Sequence, residues 1–68
     1  MTLSLIQNDS NTWTTIHSGR FFMIYLFNKE YWLNEISESK KIITNIGYSG
    51  KTIQDVEKDI VEFCKENK

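Results

Sequence analysis

Seven consecutive apolar residues, Phe21–Phe27, sit inside a chain of only 68 and limit what it can fold into. The run is far short of the roughly 20 residues that a membrane-crossing helix needs. Its aromatic and branched side chains suit a strand. A strand without alternation has apolar side chains on both faces, so both faces must be covered, or one is a contact surface. Such a strand does not sit at a sheet edge in water, so neighbours are expected on both sides.

The flanking sequence supplies them. Thr12–His17 is rich in Thr, Trp and Ile, and Ser18-Gly19 follows as a two-residue turn, with glycine suited to the positive φ of a tight hairpin. Beyond Phe27, Asn28-Lys29-Glu30 forms the next turn and Tyr31–Ile36 a third strand. Ser37–Lys40 turns the chain again, and Lys41–Ile46, with Ile42, Ile43, Thr44 and Ile46, forms a fourth. Gly47–Gly50 is expected to break that strand. The polar cluster 7–11 separates a short apolar start, Leu3–Ile6, from the body. Residues 1–11 read as a loosely held tail touching the core through Leu3 and Leu5, or as a short edge strand.

The C-terminal segment carries the strongest local signals. Thr52 is an N-cap type, with Asp55 three residues on and in the first turn. Ile53, Val56, Ile60, Phe63 and Cys64 then repeat at helical spacing, and Lys65 and Lys68 suit the negative pole. The expectation is an α+β domain over 12–68, an antiparallel meander of three to four strands packed on one C-terminal helix from about Thr52 to Glu66.

One helix covers one face. A two-residue Ser18-Gly19 turn places Trp13 opposite Ile24 and Ile16 opposite Phe21. Trp13, Phe22, Ile24 and Leu26 then make the bed for the helix, and Ile16, Phe21, Met23 and Tyr25 fall on the other face. A two-residue turn at Asn28-Lys29 adds Trp32 and Ile36 to that second face, whereas a three-residue turn adds Tyr31 and Leu33. Unless the Leu3–Ile6 segment folds over it or the sheet curls shut, this face is a partner-binding surface. Its expected residues are Ile16, Phe21, Met23, Tyr25 and Trp32. Burying ~300 Å² of apolar surface there is worth roughly 7 kcal/mol before entropy, a large sum for a chain whose core contributes only ~3–5 kcal/mol net.

Catalytic chemistry has little to work with. His17 is the only histidine, and its neighbour Ser18 points away from it at a turn. Cys64 lies on the apolar stripe near the helix C-terminus, where a thiolate is not activated. One cysteine makes an internal disulfide impossible, and with one histidine it falls short of the four ligands of a closed zinc site. Asp55 with Asp59, and Glu62 with Glu66, stack on the outer helix face, as a solvated face does. Gly47 and Gly50 lack a phosphate-loop pattern. No enzyme activity, cofactor, metal or small-molecule substrate is expected.

Net charge is −1, but residues 12–51 carry +2 and the helix segment 52–68 carries −2. Aromatics at alternate positions of Phe21–Phe27 can stack bases, so Arg20, Lys40 and Lys41 are the candidate contacts of an alternative nucleic-acid role. The leading expectation is a protein partner or a homodimer. Seven lysines to one arginine, and no alanine or proline, fit AT-rich coding sequence and hint at a bacterial, phage or mobile-element source. No targeting segment is evident at the start, so a cytoplasmic location is expected. The functional expectation is a small regulator or inhibitor of a host protein.

Overall fold

A computed structural model describes residues 3–67. It is an α+β fold in which five antiparallel strands and one helix follow in chain order: β1 Ile6–Asp9, β2 Thr12–His17, β3 Arg20–Phe27, β4 Glu30–Ile36, β5 Ile42–Gly50 and α1 Ile53–Glu66. The sheet order is β1-β2-β3-β4-β5, a simple meander with β3 at its centre. There is one strand more than the three to four expected. The start of the chain pairs as an edge strand, with Ile6 opposite Thr14 and Gln7 opposite Trp13. Residues 1–2 and Lys68, expected near the negative pole of the helix, lie outside the described residues.

The hairpin turns set which side chains share a face. Ser18 and Gly19 both take positive φ, at 53° and 74°, and Trp13 pairs with Ile24 and Ile16 with Phe21. Asn28 and Lys29 do the same, at 53° and 63°. That is the signature of a tight two-residue turn whose twist matches its strands. It brings Phe27 opposite Glu30 and Tyr25 opposite Trp32, and so fixes Trp32 and Ile36 on the second face.

The core lies between the sheet and α1. Phe22, Ile24, Leu33, Val56, Ile60 and Cys64 are buried together with Leu3, and Leu5, Trp13, Tyr31, Ile46 and Phe63 pack around them. Phe63 meets Phe22 edge-on at 5.9 Å. The helix starts as its sequence requires. The Thr52 hydroxyl accepts the Asp55 N–H at 3.2 Å, and Asp55 Oδ2 accepts the N–H groups of Lys51 and Thr52. Two further polar contacts fasten it to the sheet. Ser49 donates to Asp59 at 2.8 Å, and the Leu3 N–H donates to Glu57 at 2.8 Å. The second of these draws the N-terminal segment to the helix side, so Leu3 and Leu5 close the core edge rather than the open face.

The expected break at Gly47–Gly50 is absent, because β5 runs on to Gly50. Three irregularities in its pairing with β4 absorb the awkward residues, and Gly47 takes a φ of 95° at one of them. Bulges of this kind let a strand bend without ending. Among the described residues no helix is long and apolar enough to cross a membrane.

Candidate interaction face

The face of the sheet turned away from α1 is ordered by register into rows across the strands. Ile16, Phe21, Ile36 and Ile42 form the first. Thr14, Met23, Asn34 and Asn45 form the second. Thr12, Tyr25, Trp32 and Tyr48 form the third, and Phe27 with Glu30 closes the far end. Ile16, Phe21, Met23, Tyr25 and Trp32 therefore come together on one surface. Trp32 stacks edge-on against Tyr48 at 5.7 Å.

Six large apolar side chains of the described residues are strongly exposed, and the register puts five of them here. They are Ile6 at 65%, Ile16 at 57%, Phe27 at 63%, Ile42 at 63% and Tyr48 at 50%. The remaining one, Ile43, sits at an irregularity of β5. The register thus groups these exposed apolar side chains on one side of the sheet instead of scattering them.

The face is not flat. At the Phe21 end a cavity of about 300 Å³ opens among Ile6, Ile16, Phe21 and Ile36, with Glu38 and Lys40 at its rim. The loop after β4 shapes that rim. The Ser37 N–H donates to the Lys41 carbonyl at 2.8 Å, and Lys40 takes a φ of 68° to make the turn.

Two polar atoms on the face are anomalous. Trp32 Nε1 and Asn34 Oδ1 are shielded from water and have no hydrogen-bond partner. Asn34 is only 5% exposed. Leaving such groups unpaired costs about 1–3 kcal/mol each. At the other end of the face the Tyr48 hydroxyl is held above its ordinary range. Desolvation contributes most, followed by the negative charge of Glu30.

The candidate cations do not form one group. Arg20 belongs to the helix side of the sheet. It pairs with Glu35 at 3.5 Å, lies 5.6 Å over the Phe63 ring and donates to the Asn67 carbonyl at the end of α1. Its parity is the reason, since Arg20, Phe22 and Ile24 share one side of β3. Lys40 stands at the cavity rim and Lys41 is exposed beside it. His17 and Cys64 meet on the helix side, where the thiol donates to the His17 carbonyl at 3.7 Å.

Sequence reasoning passes over Tyr48, Ile42, Ile6 and Asn34 as members of this face. Tyr48 lies in a segment expected to break the strand. The pairing of Ile42 depends on bulges that leave no sequence mark, and that of Ile6 on a segment that reads first as a tail. Comparison with protein-family models, with curated proteins and with solved structures returned no match to this chain.

Proposed function

We propose that this chain is a small non-enzymatic binding protein that engages a protein surface through the open face of its sheet. The observation that carries the reading is the segregation of exposed apolar side chains onto that face, on the side opposite the single helix. Aromatic residues and methionine are the types enriched at the cores of protein interfaces, where charge is depleted, and the middle rows of this face set Met23, Tyr25, Trp32 and Tyr48 among Thr12, Thr14, Asn34 and Asn45, with no charged residue among them. Arg20, the one arginine, is committed to Glu35 and the helix end, which leaves the middle of the face without the cation a nucleic-acid surface relies on. The AT-rich-type composition goes with a phage or mobile-element regulator or inhibitor that acts by occluding a host protein.

Site-specific photo-crosslinking tests the reading. A crosslinking side chain is placed at Tyr25 or at Phe27 on the sheet face, and at Glu62 on the exposed face of α1 as the control. Protein adducts from the two sheet positions and not from Glu62 are expected. Adducts formed equally from Glu62, adducts with nucleic acid instead of protein, or none from any position would overturn it.

A further inference from the structure

We propose that the occupant of the open face is a second copy of this chain, stacked sheet on sheet about a two-fold axis. The proposal rests on the reading of that face as an interaction surface and names its partner. The face carries a knob at one end and a socket at the other. The knob is Phe27, nearly two-thirds exposed at the end of β3. The socket is the cavity lined by Ile6, Ile16, Phe21 and Ile36, which lies by the start of the same strand at Phe21. Phe21 and Phe27 are six positions apart, about 20 Å of strand. The cavity volume of about 300 Å³ lies at the lower limit of ligand pockets, room for one large apolar side chain.

A single operation satisfies both ends. The axis lies between the two sheets and runs across the strands at the level of the Ile24–Leu33 pair. Rotation about it lays β3 over its copy with reversed direction, so each Phe27 enters the socket of the other copy. An isologous interface needs this reciprocity, in which residue i meets j and j meets i. Stacked sheets sit about 10 Å apart, a spacing that interdigitating side chains fill.

The same operation answers two features that do not depend on the knob and socket. Asn34 and Trp32 flank Leu33, so the axis carries Asn34 of one copy over Trp32 of the other. The indole N–H lacks an acceptor and the amide oxygen lacks a donor. A rotation of each side chain toward the partner joins them, once in each direction. Charge is the second feature. Glu30 pairs with Phe27 in register and Lys40 rims the socket. Seating Phe27 therefore brings Glu30 of one copy to Lys40 of the other. Lys29 and Glu38, at the same two ends, meet with opposite signs as well.

The test is the mass of the full chain in solution, by sedimentation from about 1 µM to about 1 mM, a range that brackets weak and moderate dimers. The wild type is expected to dimerise within it. Phe27→Glu weakens association about 100-fold, as loss of an aromatic anchor seated in a pocket does, with unchanged far-UV circular dichroism because Phe27 is exposed. Glu30→Lys and Lys40→Glu each weaken it about 5-fold, and the double variant recovers most of the loss, a coupling that independent sites do not show. A chain monomeric throughout, a dimer indifferent to Phe27→Glu, or charge reversals that simply add would overturn the proposal. The two readings fail separately. A monomer that still crosslinks from Tyr25 to a different protein loses the second copy and keeps the surface, whereas a monomer with no adducts loses both.

Discussion

On the helix side of β3, Phe22 and Ile24 are fully buried among Leu33, Val56 and Ile60. On the other side of the same strand, Phe21, Met23 and Tyr25 are half-buried and Phe27 is mostly exposed. Residue type does not separate the two sets, since each pairs phenylalanine with other apolar side chains. Coverage separates them. The polar groups follow the same division. On the helix side Glu35 is paired with Arg20 and Thr15 donates to the Ser4 carbonyl at 2.7 Å. On the open side Trp32 Nε1 and Asn34 Oδ1 are left without partners. One face is finished within the monomer. The other buries Ile36 and Asn34 but leaves Ile16, Phe27, Ile42 and Tyr48 exposed.

The comparison breaks most easily at the two phenylalanines. Phe22→Ala removes a fully buried ring that touches Phe63, and should cost about 3–5 kcal/mol. That is most of the stability such a small domain possesses. Phe27→Ala at low protein concentration should cost less than about 1 kcal/mol, since the side chain has little contact to lose. Urea denaturation of both variants measures the difference. Equal costs would mean that the open face is packed after all.

Arg20→Ala comes next. It leaves the buried Glu35 without its cation and removes the contact with the helix end, and should cost about 2 kcal/mol. Arg20→Lys should recover only part of it, because the guanidinium that lies over Phe63 and reaches both Glu35 and Asn67 is lost. Thermal melts of the two variants provide the measurement. A neutral Arg20→Ala would return this side chain to the pool of free cations and weaken the contrast between the faces.

Much of this division is legible in the sequence. The Ser18-Gly19 turn alone sets the pairing of Trp13 with Ile24 and of Ile16 with Phe21, because a strand has only two faces and one turn length fixes them. The helix is marked by its cap, its first-turn acid and the spacing of Val56, Ile60 and Cys64. Other features leave no such trace. The turn at Asn28-Lys29 uses left-handed backbone at a lysine, a residue that enters that region seldom, so residue type leaves its length open. The β1 strand is exposed and, apart from Ile6, polar, held by backbone pairing that many sequences can supply. The bulges that carry β5 past Gly47, and with it Tyr48 onto the face, arise from how two strands of unequal residue count meet. Local signals determine the first hairpin turn and the helix. The edges of the sheet are decided by pairing.

Substitution of Asn34 has an effect of opposite sign. An amide oxygen that is shielded and unpaired stabilises nothing in the monomer, and asparagine is a poor strand former. Asn34→Val should therefore raise monomer stability by about 1 kcal/mol. Denaturation at low concentration reads that gain. A loss instead would show that Asn34 is satisfied within one copy and that the polar asymmetry of the faces is not real.

The smallest effect concerns Tyr48, which the open face leaves beside Glu30. Its hydroxyl is raised above the ordinary value, first by desolvation and then by the Glu30 carboxylate. Following phenolate absorbance against pH, the component missing in Tyr48→Phe should titrate above about 10. Glu30→Gln should lower that midpoint without abolishing the shift, since desolvation remains. The stability attached to the raised value is present in full below about 10 and is lost as pH rises through the higher folded-state value. It is invisible at neutral pH, and the assay is therefore spectroscopic. A midpoint indifferent to Glu30→Gln would mean that the carboxylate points away from Tyr48.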